Sequence, residues 1–402
     1  MFKVIQDINL IDKFLHRGVV NIFPSKEELR KKLLSGDRLR VYQGFDPSGP
    51  YLHIGHAMGI RSLRILQQLG HEVIFLVGDY TAKVGDPDKD TGRKILSDEQ
   101  IRKNMEGWKE QASQLIDFEG ENPVHFKHNY EWLSKLNLAE LINLMSSTTV
   151  QQMMERDLFQ KRIQNNNPIG LQEFIYPLMQ GYDSVAMKVD MEIGGNDQVF
   201  NMLMGRNLVR KYLNKEKYVR THEMMEAPDS GTMSKTRGNG INLGDTSGDI
   251  YGKAMSYPDE MIYKCFRLLT DVDLDEILDI QKDIEGGENP MKYKKMMAYE
   301  VVKTIKGKRE ADKSQEYFEK TVQNKEIDEE KAKPVSLIGN MTILDFIKNS
   351  SEGKESSSQI KRVIEQGGVY INKDKATDPY TMYDFKSGDI IKYGKRTLFK
   401  VI

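Results

Sequence analysis

The stretch Val41-Tyr-Gln-Gly-Phe-Asp-Pro-Ser-Gly-Pro-Tyr-Leu-His-Ile-Gly-His-Ala-Met-Gly59 limits most strongly what this chain can become. Residues 39–45 alternate in polarity as a strand entering a sheet does. Asp46-Pro47-Ser48-Gly49-Pro50 cannot continue that strand, because two prolines remove donors and fix φ. From His53 onward, Ile54, Met58, Leu63, Leu66 and Leu69 recur at close to helical spacing, and Gly70 supplies a stop. The unit is therefore strand, tight turn, helix. Backbone N–H groups at a helix start favour an anion lying over the turn. His53 and His56 are one turn apart and share the face looking at that spot. Gly55 leaves room for a flat or phosphate-bearing ligand. Taken alone, the two histidines fit an incidental surface turn equally well.

The rest of the chain repeats the design. Glu72–Gly78 is apolar on both faces, as a covered parallel strand should be. It runs into a loop, Asp79 to Pro87, with aspartates at the carboxyl end of the strand, where ligand groups gather in open α/β sheets. Val189–Ile193 reads as a strand entering Gly194-Gly-Asn-Asp-Gln198, and a helix follows over 199–212. Between these, residues 124–128 form a short strand and 132–145 an amphipathic helix. Residues 148–156 form a helix whose methionines serve the core or a partner face. Residues 88–122 look like charged helical surface. A helix over 171–187 places Tyr176, Gln180 and Asp183 on one face.

Residues 1–38 read as a helical lead-in with a capping box at Ser25 and Glu28. Residues 213–244 read mostly as loop. They contain Ser230-Gly-Thr-Met-Ser-Lys-Thr-Arg-Gly-Asn239, which suits a mobile loop carrying Lys235 and Arg237 to phosphates, or an idle surface loop. Residues 249–327 are helical in period and carry no strand signal. In the tail, 336–349 reads as a helix, Ile360, Val363 and Ile364 mark another, Gly367 opens a strand, and 389–402 closes as a hairpin. The expectation is an α/β protein. A Rossmann-like parallel-sheet catalytic domain spans 1–240, an α-helical domain 241–333, and a linker with a small α+β module 334–402.

Composition excludes several classes. The longest apolar runs fall well short of the roughly 20 residues a membrane helix needs. The opening residues show no charged-then-apolar signal pattern. Cys265 is the only cysteine, so no internal disulfide forms, and a reducing cytoplasm is expected. The net charge is −1, so any nucleic-acid contact must come from local basic patches. The tail offers one: from Lys354 onward ten Lys/Arg face six Asp/Glu. A solubilising tail would read the same way.

Gly44 and Asp46 precede the first motif helix, and Gly195 and Asp197 precede the second. A backbone cradle with carboxylates suits a nucleotide whose ribose hydroxyls both donate and accept. The histidines and Lys235 can donate to a phosphate that gains charge in its transition state, and nucleotidyl transfer needs mainly positioning and charge stabilisation. There is no G-x-x-x-x-G-K-[ST] pattern and no G-x-G-x-x-G after a strand, which argues against P-loop NTPases and dinucleotide oxidoreductases. Zinc at His53 and His56 lacks the neighbouring Glu of H-E-x-x-H, and no metal ligand is expected from the protein.

His53-Ile-Gly-His56 and Thr232-Met-Ser-Lys-Thr236 resemble, in order and separation, the two signature motifs of class I aminoacyl-tRNA synthetases. Tyr42-Gln-Gly-Phe-Asp-Pro47, Tyr176-Pro-Leu-Met-Gln-Gly-Tyr-Asp183 and Gly194-Gly-Asn-Asp-Gln198 resemble the bacterial tyrosyl-tRNA synthetases specifically. The tail from Ser356 resembles an S4-type RNA-binding domain, so the resemblance covers nearly the whole chain. It implies that Tyr42 and Asp183 hold the phenol hydroxyl of L-tyrosine. Asp86, Tyr176 and Gln180 would take its ammonium group, and Gln198 would lie near its carboxylate. Gly44, Asp46, His53, Gly55, His56, Gly195 and Asp197 would line the ATP site, and Lys235 would contact pyrophosphate.

The resemblance also implies a two-step reaction assisted by Mg²⁺. Tyrosine attacks ATP to give tyrosyl-adenylate, and the tyrosyl group then passes to the 3′ end of tRNA(Tyr), on a homodimer whose 241–333 region binds the anticodon. Two departures stand out. Thr232 occupies a position where the family loop begins with Lys, leaving one phosphate contact absent or supplied by Arg237. Asn196 replaces the usual small hydroxyl residue. A pocket built to pair with a hydroxyl rejects phenylalanine because its own buried polar groups would go unpaired; tyrosyl enzymes are the reference case for that effect. The rival readings are a tryptophanyl enzyme and an RNA-binding protein that keeps the fold without the activity.

Overall fold

The protein is described here from a computed structural model covering residues 3–86, 96–227, 240–323, 332–337, 339–351, 355–372, 374–394 and 397–402. The chain divides into two compact units, Met1–Gln315 and Glu316–Ile402.

The first unit is built on a six-stranded sheet: β1 (Val19–Phe23), β2 (Arg40–Phe45), β3 (Glu72–Val77), β4 (His125–His128), β5 (Met191–Gly195) and β6 (Tyr218–His222). The spatial order is β1-β6-β5-β2-β3-β4. All neighbours are parallel except β1 with β6. The chain winds outward from β2 through β3 to β4, then returns to β5 on the other side of β2. That reversal opens a crevice at the carboxyl ends of β2 and β5, where α/β sheets bind ligands. β3 is buried along nearly its whole length, as its unbroken apolar run requires. The helix Ile54–Gln68 lies close over β2: a Cβ at Gly59 would stand 1.9 Å from Gln43 Oε1, so only glycine fits there without Gln43 moving.

Several elements differ from the sequence expectation. β1 falls inside the presumed helical lead-in, and β6 inside the presumed loop at 213–244. β6 reads Tyr-Val-Arg-Thr-His, and four of its five residues are buried. Its polarity hides the strand, because Arg220 spends two donors on the carbonyls of Phe14 and Arg17. The expected helix over 132–145 is two, Tyr130–Leu133 and Leu138–Met145; Asn137 and Glu140 cap the second reciprocally. The expected helix over 171–187 begins as a 3₁₀ turn, Leu171–Phe174. The α-helix runs Tyr176–Ala186 with Pro177 in its first turn, where a missing N–H costs nothing. Residues 88–122 are not all surface, since Ile101 and Trp108 are buried. Met153 of Val150–Met154 is buried in a core cluster, while Val150 is exposed. Among the described residues of 249–323 there are helices and no strand.

The second unit holds β7 (Lys333–Val335), β8 (Gly339–Thr342), β9 (Val369–Ile371), β10 (Asp374–Ala376), β11 (Met382–Phe385), β12 (Ile390–Tyr393) and β13 (Thr397–Val401). The sheet order is β10-β9-β12-β13-β7, and β11 pairs with β8. Two helices, Ile343–Ser350 and Ser357–Glu365, bury Phe346, Ile347, Ile360 and Ile364 against Val369, Ile391 and Phe399. The expected helix over 336–349 therefore starts later, after β8. β12 and β13 form the expected closing hairpin.

Candidate active site

The turn after β2 delivers its histidines to the sheet's carboxyl edge. His53 is the N-cap of the Ile54–Gln68 helix; its backbone N–H donates to His56 Nδ1 at 3.0 Å, and the two rings stack at 3.8 Å between centroids. The ring of Phe45 meets His56 edge-on. A Cβ at Gly55 would stand 2.9 Å from His53 Nδ1, so glycine here keeps the pair together. Gly44 is exposed at the end of β2 and presents bare backbone to the crevice.

Lys235, Thr232 and Arg237 lie outside the described residues. The described chain resumes at Gly240 and returns to the histidines. Ile54 N–H donates to Ile241 O at 2.8 Å, Leu243 N–H donates to Leu52 O at 2.8 Å, and His53 bridges Asn242. Ile241 is six positions after Lys235, a reach of at most about 22 Å.

A hydrogen-bonded chain crosses the crevice. Tyr176 hydroxyl donates to Asp46 Oδ2 at 2.9 Å, and Thr81 hydroxyl donates to Asp46 Oδ1 at 2.7 Å. Asn129 Nδ2 donates to Thr81 Oγ1 at 3.0 Å and to Asp183 Oδ2 at 3.1 Å. Trp132 Nε1 donates to Asp183 Oδ1 at 2.7 Å. Asp183 is 2 % exposed. Burial pushes its carboxyl well above the usual range, against the pull of the Trp132 and Asn129 donors.

Beside it lies a cluster around Asp86. Its carboxylate accepts from Arg156 Nη2 at 2.8 Å, from Gln198 Nε2 at 2.7 Å and from Asn201 Nδ2 at 3.4 Å. Asn201 also donates to Gln198 Oε1, fixing that amide's orientation. Asp197 is exposed at the turn after β5. A Cβ at Gly195 would stand 2.4 Å from Asp197 Oδ1, so the glycine lets that carboxylate fold back over the turn.

Tyr42 sits in a third group. Its hydroxyl is 2.8 Å from Ser184 Oγ, which accepts from Lys217 Nζ at 2.8 Å. Lys217 pairs with Glu192, and Gln180 Nε2 donates to the same carboxylate at 3.0 Å. Burial raises the Tyr42 phenol well above its ordinary value, and the Glu192 and Asp183 carboxylates add to the shift.

The structure thus brings Asp86 to Gln198, and Tyr176 to Asp46. It does not join the Tyr42 hydroxyl to Asp183, and it turns Gln180 toward Glu192. Sequence reasoning missed Asn129, Trp132, Thr81, Arg156, Asn201, Ser184, Glu192 and Lys217. Asn129 follows β4 at its carboxyl end and was open to discovery by the rule that flagged Asp79 and Asp86. Lys217 precedes β6, and the unread strand hid it.

The sequence profile described as "tRNA synthetases class I (W and Y)" matches residues 34–323, and the S4 domain profile matches residues 344–391. A tyrosine–tRNA ligase of Dehalococcoides mccartyi is 39% identical over 98% of this chain and 99% of its own length. That of Thermotoga maritima is 38% identical, over 97% and 96%. The fold resembles a truncated mitochondrial tyrosyl-tRNA synthetase of Aspergillus nidulans, with TM-score 0.65, 21% identity, and 77% and 92% of the two chains covered. It also resembles the Archaeoglobus fulgidus tyrosyl-tRNA synthetase solved with L-tyrosine, with TM-score 0.60, 19% identity, and 77% and 100% covered. The chain belongs to the class I tRNA synthetases, and within them to the tyrosine–tRNA ligases, with an S4 domain in its tail.

Proposed function

We propose that this protein activates L-tyrosine with ATP, giving tyrosyl-adenylate and pyrophosphate, and passes the tyrosyl group to the 3′ end of tRNA(Tyr). The observation that carries the choice of amino acid is Asp183, a buried carboxylate met by two neutral donors. A buried carboxylate gains from a further donor, and the phenol hydroxyl of tyrosine is one. Tyr42 would complete the pair. Lys217 ammonium can only donate, so Ser184 accepts from it and can give its own proton to the Tyr42 oxygen, whose proton is set toward Glu192. On substrate binding Tyr42 would turn its proton from Glu192 to the phenol oxygen while the phenol donates to Asp183.

Asp86, Tyr176 and Gln180 would take the substrate ammonium, with Gln198 near the carboxylate. Gly44, Asp46, His53, Gly55, His56, Gly195 and Asp197 would line the ATP site. The histidines would donate to the α-phosphate as it becomes pentacoordinate, where charge stabilisation lowers the barrier. Lys235, with Thr232 and Arg237 in the same loop, would meet the leaving pyrophosphate. Mg²⁺ bound with ATP supplies charge neutralisation. Among the described residues no group of three or more His, Cys, Asp or Glu side chains gathers.

Residues 241–333 would read the anticodon and 334–402 would supply the linker and RNA-binding module. A homodimer is part of the same reading. Leu138, Ile142 and Met145 recur on one face of their helix and are exposed, as is Val150, and a second copy would cover them. The buried single cysteine suits a cytoplasmic protein. No helix among the described residues is long and apolar enough to cross a membrane. ATP–pyrophosphate exchange with each amino acid tests the proposal. Exchange with tyrosine and not with phenylalanine is expected, and exchange with tryptophan alone overturns it.

A further inference from the structure

A cavity of about 290 Å³ lies in the first unit along the Ile54–Gln68 helix, bounded by Ile8–His16, β6 and the end of Ile262–Leu269. Its walls carry Lys13, Arg17, Arg61, Arg64, Arg220 and Arg267. Among the described lining residues the only carboxylate is Asp271.

Much of this charge has a structural use. Arg17 donates to the carbonyls of Arg267, Val272 and Phe266. Arg61 donates to Leu268 O and to Asp271 Oδ1, each at 2.7 Å. These two arginines satisfy carbonyls at a helix C-terminus, where cations are favoured. Helix capping does not exhaust the donors. Arg61 Nε and Arg220 Nη1 are buried and meet no hydrogen-bond partner among the described residues, and the same holds for Arg267 Nε. Arg61 is 7% exposed and Arg220 2%. His222, at the same wall, uses Nδ1 on Glu223 O, and its Nε2 is likewise buried and unmatched.

Three unmatched guanidinium N–H groups and one imidazole nitrogen around a strongly cationic hollow are costly unless something meets them. A neutral polar molecule could answer the hydrogen bonds but not the charge. Burial lowers the pKa of Arg17 to about 10 and that of Arg220 to about 9; for Arg17 the neighbouring Arg61 adds to the fall. Arg267 is paired with Glu223, and the other five cations of the wall stand against Asp271 alone, so the hollow holds an excess of positive charge that a small polyvalent oxyanion would relieve. Such an anion accepts from several guanidinium groups at once, and a hydrogen-bearing oxygen on it can donate to His222 Nε2. The volume far exceeds the roughly 10–15 Å³ that one water needs.

We infer that this cavity binds a small phosphate-type oxyanion, at a site separate from the ATP crevice, between Arg61, Arg220, Arg267 and His222. The site joins the helix that begins at His53 to the carbonyl end of Ile262–Leu269. Occupancy would tie the catalytic sheet to the helices that follow it.

The test is titration calorimetry on the full-length protein with inorganic phosphate and, separately, pyrophosphate. Ionic strength is held constant with chloride, and the ATP crevice, its pyrophosphate end included, is saturated with tyrosine and a non-hydrolysable ATP analogue. Binding with one site per chain is expected, and the tighter of the two anions identifies the source. Gln68→Glu places a carboxylate at the exposed rim without touching the buried arginines, and should weaken binding at least tenfold. Arg220→Lys should weaken it similarly; if that variant fails to fold, Gln68→Glu decides. No binding beyond the chloride control, unchanged affinity in Gln68→Glu, or loss of binding when the analogue is added overturns the inference.

Discussion

Asp183 and Ser184 are consecutive residues on one helix, yet they feed two different polar networks. Asp183 belongs to the chain that runs from Trp132 and Asn129 through Thr81 to Asp46 and Tyr176. Ser184 belongs to the group of Tyr42, Lys217, Glu192 and Gln180. The second group contains its own cation and anion, and Tyr42, Ser184 and Lys217 are fully buried. A Cβ at Gly205 would stand 2.5 Å from Lys217 Nζ, so the glycine makes room for that ammonium. The first network sets a carboxylate against neutral donors at the crevice. The second network balances its own charge and meets the ligand only through Tyr42 and Gln180, whereas the first is completed by a ligand that donates.

The largest expected effect tests the second network. Lys217→Met leaves Glu192 buried without its cation, and removing one partner of a buried pair costs about 3–5 kcal/mol. Urea denaturation should show that loss, and unchanged stability would mean that the Lys217–Glu192 pair is not needed. Asp183→Asn should behave in the opposite way. It should lower kcat/KM for tyrosine in pyrophosphate exchange about 100-fold, roughly 2.7 kcal/mol, and leave ATP binding nearly unchanged. Stability should hold or rise, because the variant removes a carboxylate whose ionised form burial disfavours. Equal losses of tyrosine and ATP binding would deny Asp183 its assigned role.

The contrast also marks what the sequence could reveal. The strand–turn–helix at 41–70 and its echo at 191–213 were legible because prolines and glycines punctuate apolar runs. Their positions at the sheet's carboxyl edge follow from that pattern. β1 and β6 were not legible. β6 buries an arginine and a histidine, and no periodicity rule anticipates a buried Arg220 that donates to carbonyls some 200 residues earlier in the chain. Asp183 was found through its motif, but its partners come from β4's exit, about 50 residues away. Tyr42 and Asp183 were expected as a pair, and only the tertiary structure separates their hydrogen bonds. The loop with Lys235 was read from its motif, and the structure describes only the chain on either side of it.

A pH profile sharpens the reading of the first network. The folded pKa of Asp183 lies above its ordinary value. Its neutral form therefore contributes stability that is fully present below the unfolded pKa, near 3.8, and lost as pH rises through the folded one. The ionised form is the stronger acceptor for the phenol O–H, so the tyrosine KM should rise as pH falls through that same folded pKa. Asn129→Ala removes a donor that holds the pKa down. It should move the acid limb of the tyrosine profile upward by about one pH unit, worth about 1.4 kcal/mol. A limb that stays in place would mean that a group other than Asp183 sets it.

Tyr42→Phe carries the smallest effect and bears most directly on the boundary between the two networks. The hydroxyl sits at 2.8 Å from Ser184 and has no hydrogen bond to Asp183. If it serves only the second network, its loss costs stability by about 1 kcal/mol, the usual value for one hydrogen bond, with tyrosine KM unchanged. If it also donates to the substrate phenol, tyrosine KM rises about fivefold and discrimination against phenylalanine falls by the same factor. The second outcome is expected, because the Ser184 proton is available to Tyr42 and the Tyr42 proton, set toward the Glu192 carboxylate, can turn to the substrate. A Ser184→Ala variant checks the relay. It should reproduce part of the KM effect through a residue that never touches tyrosine, and a normal KM there would break the link between the networks.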